Sequence, residues 1–129
     1  MIVVDASAVV DALSGLPGGQ AVRNRLVSDE LQAPTLIDYE VVNALRGMTL
    51  RGELGATRAD DVLTDFEDLP IHRWQSADVL RRGAFRLRDR VSAYDAAYVV
   101  LAEALDCLLI TRDARLARTT GHEARIELL

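Results

Sequence analysis

Residues 1–10 read MIVVDASAVV. Three apolar residues, Ile2, Val3 and Val4, run straight into a carboxylate, Asp5, and Ser7 follows two places on. A short unbroken apolar run is the pattern of a strand buried on both faces, as in a parallel sheet. A charge at the end of such a strand needs a partner. Residues 107–113, CLLITRD, repeat the arrangement. A second buried strand leaves into Asp113, with Thr111 two residues before it.

Outward from these two strands, the chain alternates. Ser7 can cap a helix through SAVVDAL, LPGG at 16–19 breaks the chain, and QAVRNRLVS is a second helix. LQAP, ending at Pro34, is a short strand. Thr35-Leu36-Ile37-Asp38 fits a capping box opening a helix to about Arg51. Thr57-Arg58-Ala59-Asp60 is another box, opening the helix ATRADDVLTDFEDL that Pro70 stops, and IHRW is a strand. A helix over about Ser76 to Arg90 follows, and Ser92-Ala93-Tyr94-Asp95 opens the unusually apolar helix DAAYVVLAEAL. After CLLIT, DARLART is a short helix and ARIELL a closing strand. Strands alternating with helices predict one α/β domain over residues 1–129, its central sheet of about five strands parallel or mostly parallel and flanked by helices.

The chain has 129 residues and a formal net charge of -5, and all 15 of its basic residues are arginine. That balance excludes a protein holding nucleic acid by counterion release alone, which would be basic. No apolar run approaches a membrane span and no secretory leader stands at the start, so a cytoplasmic protein without membrane contact is expected. The single Cys107 cannot form an internal disulfide. His72 and His122 are isolated, without Cys or His at zinc-ligand spacing. His122, in a turn after Gly121, is expected to be solvated, and Trp74 to pack.

Ligands of open α/β sheets bind outside the carboxyl ends of the strands. Asp5 and Asp113 both stand at such ends, although helix capping alone accounts for either. Glu40 lies at the edge of the apolar stripe Ile37, Val41, Ala44 and Met48, alongside Asn43 and Gly47, where a boundary glutamate can also snorkel to water. Asp95 caps a helix so apolar that it must be central, so its start is expected to face a cleft. Four carboxylates in one cleft repel each other, and no lysine offsets them. An oxygen-ligated divalent cation, Mg²⁺ or Mn²⁺, does so directly and can activate water against a phosphodiester.

The segments IVVDASA, TLIDYEVVNAL, SAYDAAYVVLAEAL and LLITRDARLA, in this order and spacing, resemble PIN-domain ribonucleases, and most closely the VapC toxins of type II toxin–antitoxin systems. The resemblance covers nearly the whole chain. It implies an acidic quartet of Asp5, Glu40, Asp95 and Asp113 that acts in catalysis and holds the metal. Ser7 and Thr111 match accessory hydroxyl positions, and Asn43 a frequent polar neighbour. It further implies Mg²⁺- or Mn²⁺-dependent endonucleolytic cleavage of RNA, a homodimer, and a higher assembly with an inhibitory VapB-like antitoxin. The alternative is a non-catalytic nucleic-acid-binding or interaction module on the same fold. Aspartyl-nucleophile phosphoryl-transfer enzymes also place an Asp after the first strand, but they use a lysine that this chain lacks. Arg82, Arg86 and Arg112 are candidate RNA-phosphate contacts. Leu36, Val42 and Leu50 form a second apolar group, expected to be a dimer or antitoxin surface.

Overall fold

The computed structural model describes residues 1–129. Five strands form one sheet: β1 (Ile2–Val4), β2 (Leu31–Pro34), β3 (Ile71–Trp74), β4 (Leu108–Thr111) and β5 (Arg125–Leu128). Every pairing is parallel and the order is β3-β2-β1-β4-β5. The central position of β1 explains its composition, since Ile2, Val3 and Val4 are all buried, with helices against both faces. The chain moves one way from β1 to β2 and β3, then returns past β1 to β4 and β5. The strand order therefore switches between β1 and β4, and a crevice opens at their carboxyl ends.

Seven helices cover the sheet: α1 (Ala6–Ser14), α2 (Gly19–Leu26), α3 (Ile37–Leu50), α4 (Ala56–Asp68), α5 (Asp78–Arg86), α6 (Ala93–Leu105) and α7 (Ala114–Ala117). α1 packs on α2, α3 and α4, and α6 packs on α5 and across β1, β2 and β4. The apolar sequence of α6 matches this place, with Ala96, Val99, Val100, Leu101 and Ala102 buried over the middle of the sheet. No helix is long and apolar enough to cross a membrane. Gly19 lets α2 approach α1, because a Cβ there would stand 2.2 Å from the Asp11 carbonyl oxygen.

The helix starts depart from the local motifs. α1 is capped by Asp5, not Ser7: the Asp5 carboxylate accepts from the Ala8 N–H at 2.9 Å. The box at Thr35 does not form. α3 starts at Ile37 without a side-chain cap, and Asp38 instead accepts from Arg73 at 2.7 Å. The box at Thr57 also fails, and α4 starts at Ala56 after Gly55. In both cases the local bond is a small gain that a tertiary contact or an earlier helix start overrides. Of the Ser and Thr positions only Ser92 caps as expected, accepting from the Asp95 N–H at 3.2 Å, while the capping reading of Asp5 and Asp113 holds for both. α5 is shorter than the Ser76–Arg90 reading, ending at Arg86. His122 is half-buried rather than solvated, with Nε2 at 2.9 Å from the Thr119 carbonyl. Trp74 packs against the core and donates through Nε1 to the buried Gln32 at 2.8 Å.

Candidate active site

The two strand exits share one hydrogen-bond network. Asp5, only 6% exposed, uses both carboxylate oxygens. Oδ1 accepts from the Ser7 hydroxyl at 2.6 Å as well as from Ala8, and Oδ2 accepts from the Thr111 hydroxyl. Each hydroxyl in turn accepts from the β4 exit: Ser7 from the Arg112 N–H at 3.0 Å, Thr111 from the Asp113 N–H at 2.9 Å. Ser7 and Thr111 therefore relay the backbone of one exit onto the carboxylate of the other. A carboxylate offers about four lone-pair sites. Three protein donors leave Asp5 one free for a cation.

Asp113 caps α7, accepting from the Arg115 N–H at 2.8 Å and the Leu116 N–H at 3.3 Å. The Arg115 guanidinium also lies between two acids, 3.0 Å from Asp95 and 3.3 Å from Asp113. Asp95 thus reaches the site from the first turn of α6, as its place on a buried helix requires. Glu40 comes from the first turn of α3 and is half-buried, with the Tyr98 hydroxyl as its hydrogen-bonding neighbour. Its field is felt with those of Asp5 and Asp95, and that of Asp113 with Asp5, so the four acids share one electrostatic neighbourhood.

Protonation follows from these surroundings. Burial raises the Asp5 carboxyl above the usual carboxylate range, despite the hydrogen bonds from Ser7, Thr111 and Ala8, and Asp113 adds to the rise. Burial also raises Glu40, opposed by the Tyr98 hydroxyl and reinforced by Asp95 and Asp5. Asp113 moves the other way. Its partial burial opposes ionisation, but the Leu116 and Arg115 N–H groups and the Arg115 guanidinium outweigh that and lower it.

The donor set is all oxygen, which suits Mg²⁺ or Mn²⁺. As the side chains stand, no three of the acids are gathered at ligating distance. Asp5 is turned onto its hydroxyls, and Asp95 and Asp113 onto Arg115. A cation held by these acids would compete with Arg115, which is exposed and can swing out without disturbing the core.

The remaining candidates are dispersed. Asn43 is exposed and lines a shallow groove with Ser7 and Asp11, without a hydrogen bond to the acids. Arg112 pairs with Asp11 at 2.8 Å. Arg86 pairs with Glu103 at 3.3 Å, and Arg82 is exposed without an ion pair. Two residues went unread in the sequence. Arg115 gave no local signal beyond standing two places after Asp113. Tyr98 did give one: it lies three residues after Asp95, on the same helical face. It is 1% exposed, and its hydroxyl stands beside Glu40 without the alignment of a full hydrogen bond.

The family model for the PIN domain matches residues 2–121. Over all 129 residues the chain is 41% identical to "Ribonuclease VapC12" of Mycobacterium tuberculosis, covering 99% of that protein. The crystal structure of PAE2754 from Pyrobaculum aerophilum superposes with a TM-score of 0.70 at 25% identity, over 97% of this chain and 87% of that one. A chain of a toxin–antitoxin complex from Klebsiella pneumoniae shares the fold, with a TM-score of 0.63 at 16% identity over 92% of this chain and 91% of that one. Sequence, topology and the two acid-tipped strands agree, and the chain belongs to the PIN-domain family, among the relatives of the VapC ribonucleases.

Proposed function

We propose that this chain is a divalent-metal-dependent endoribonuclease and the toxin of a VapBC-type toxin–antitoxin pair. The observation that carries the reading is the network joining Asp5 and Asp113 through Ser7 and Thr111 at the switch in strand order. Asp5, Glu40, Asp95 and Asp113 would hold Mg²⁺ or Mn²⁺. A cation held there would supply a water of lowered pKa and charge stabilisation for the leaving oxygen of a phosphodiester. Ser7 and Thr111 fix the Asp5 carboxylate and keep it from turning away. Arg115, freed from Asp95 and Asp113, stands where a guanidinium can meet a substrate phosphate. Arg82, Arg86 and Arg112 are proposed to add phosphate contacts to an otherwise acidic chain.

The partner is proposed to be a VapB-like antitoxin, within an assembly built on a homodimer in the cytoplasm. The relative of the same fold from Klebsiella pneumoniae comes from a toxin–antitoxin complex. Val42 and Leu50 are 45% and 70% exposed and border a groove between α3 and α4 with Leu45, Ala59 and Leu63. An apolar anchor suits that groove. Leu36 does not join this surface: it packs against the core and lines a separate cavity with Trp74 and Leu80. Arg115 already bridges two of the acids, so an arginine on a partner's tail has a place to bind in the same manner.

The test is cleavage of RNA by the purified chain with and without EDTA. Cleavage that EDTA abolishes and Mn²⁺ restores is the expected result. Undiminished cleavage in EDTA would remove the metal, and RNA binding without any cleavage would favour the non-catalytic module.

A further inference from the structure

Tyr98 is the one tyrosine the fold encloses. Tyr39 and Tyr94 are 82% and 67% exposed, while Tyr98 is 1% exposed on the central helix α6. Ala96, Ala97, Val99 and Val100 flank it in the chain, and a phenylalanine would fill the same volume without a polar atom. The hydroxyl nevertheless stands buried and unpartnered. Burial raises the pKa of this hydroxyl most, then Glu40 as a hydrogen-bonding neighbour, and the charges of Glu40, Asp5 and Asp95 add to the rise. Glu40, half-buried, is in turn opposed in its own rise by the Tyr98 hydroxyl. Donor and acceptor therefore stand within each other's reach beside the acidic cluster without completing an aligned bond, and buried polar groups are rarely left so.

We infer that Tyr98 is a positioning residue for Glu40: when that carboxylate turns into the cluster to hold a divalent cation, the Tyr98 hydroxyl donates to it and fixes its orientation. The inference rests on the proposed metal-dependent reading of the site. Tyr98 touches neither metal nor substrate. It acts by removing the freedom of a ligand that nothing else in the chain restrains, while Asp5 is held by Ser7, Thr111 and Ala8.

The test is Mn²⁺ binding by isothermal titration calorimetry to the full chain, with thermal melting in EDTA alongside. Tyr98→Phe is expected to keep or raise the melting temperature and to weaken Mn²⁺ binding about tenfold, the size of a hydrogen bond to a charged group. In the Glu40→Gln background the same change is expected to have no further effect, because the tyrosine acts through the carboxylate. Val99→Ala, which removes packing from the same helix and no hydroxyl, is expected to lower the melting temperature and leave Mn²⁺ affinity unchanged. Wild-type affinity in Tyr98→Phe overturns the inference. So does an effect that adds fully to that of Glu40→Gln, or a loss of affinity in Val99→Ala as large as in Tyr98→Phe. Binding of no Mn²⁺ by the unmodified chain overturns the metal reading itself, and the role of Tyr98 with it.

Discussion

The exits of β1 and β4 lie side by side and end on the same residue type, yet their carboxylates are held in opposite ways. Asp5 is 6% exposed, bound by two hydroxyls and one N–H, and its proton affinity is raised. The Asp113 side chain is 34% exposed, paired with Arg115, and its proton affinity is lowered. No cation in the chain reaches Asp5, whereas Asp113 has one within 3.3 Å. The difference separates geometry from charge. The inner acid is held by neutral donors alone, at the expense of its ionisation, and the outer one is held by two backbone N–H groups and a guanidinium, which keep it ionised. A site that takes a divalent cation, as proposed, would use both: a buried ligand waiting for charge, and an exposed ligand already charged.

The harshest way to break the comparison is to neutralise the inner acid. Asp5→Asn keeps the shape and the Ala8 cap, since asparagine caps helices as well as aspartate. It is expected to lower RNA cleavage on the order of 10²–10³-fold, as losses of one preorganised electrostatic group do. The melting temperature in EDTA should be unchanged or higher, because a buried charge is gone. Unfolding would mean that Asp5 is only a cap. Near wild-type cleavage in a folded variant would mean that the metal is held elsewhere.

Removing the link between the exits comes next. Thr111→Val preserves volume but strips the hydroxyl that serves Asp5 Oδ2 and the Asp113 N–H. Two groups at the site then lack a partner, and a loss of about 2–4 kcal/mol in urea unfolding is expected. A loss under about 0.5 kcal/mol would mean that water replaces the hydroxyl without cost.

Opposite protonation sharpens the contrast further. Asp5, with its raised pKa, binds more protons in the fold than in the unfolded chain. It favours the fold at low pH, and that contribution is lost as pH rises through its folded value. Asp113, with its lowered pKa, contributes stability above its ordinary value of 3.8, and this is lost as pH falls through its folded value. Melting in EDTA from about pH 2 to pH 8, which spans both windows, should therefore split the variants. Asp113→Asn loses on wild type as pH rises toward 3.8, and Asp5→Asn gains on wild type above it. Parallel curves would deny the two acids their different surroundings.

The mildest change is at Arg115. Its side chain is 71% exposed, and solvent screens exposed ion pairs so that they contribute little to stability. Arg115→Ala is expected to leave urea unfolding nearly unchanged. It should also tighten Mn²⁺ binding modestly, by up to about fivefold, because a screened competitor is removed. Weaker Mn²⁺ binding would show that the guanidinium supports the site and does not compete for it.

Most of the framework was legible because it is written locally. IVV, LQAP, IHRW and LLIT are short apolar or half-apolar runs between breakers, and each became a strand of the parallel sheet. The buried α6 was legible from its unbroken apolar course. The caps were not. Asp38 was drawn to Arg73, across 35 residues, and a four-residue motif carries no trace of such a partner. The acids could be placed at strand and helix ends, but not their states. Whether Asp5 meets a threonine from 106 residues away, or Asp95 an arginine from 20, is decided by packing. Tyr98 was the one site neighbour that helical spacing alone could have revealed.

Asp5 both caps α1 and belongs to the acidic cluster, so the mutational routes open to it are unequal. A single G-to-A transition in either aspartate codon yields asparagine, which ends the carboxylate chemistry and keeps the cap. Alanine at the same position would silence the site and unfasten the first helix together. Where the proposed cleavage poisons the cell that makes it, survivors selected without the antitoxin should carry Asp5→Asn more often than other losses at this codon. Such silenced chains would remain folded, abundant and able to occupy the antitoxin.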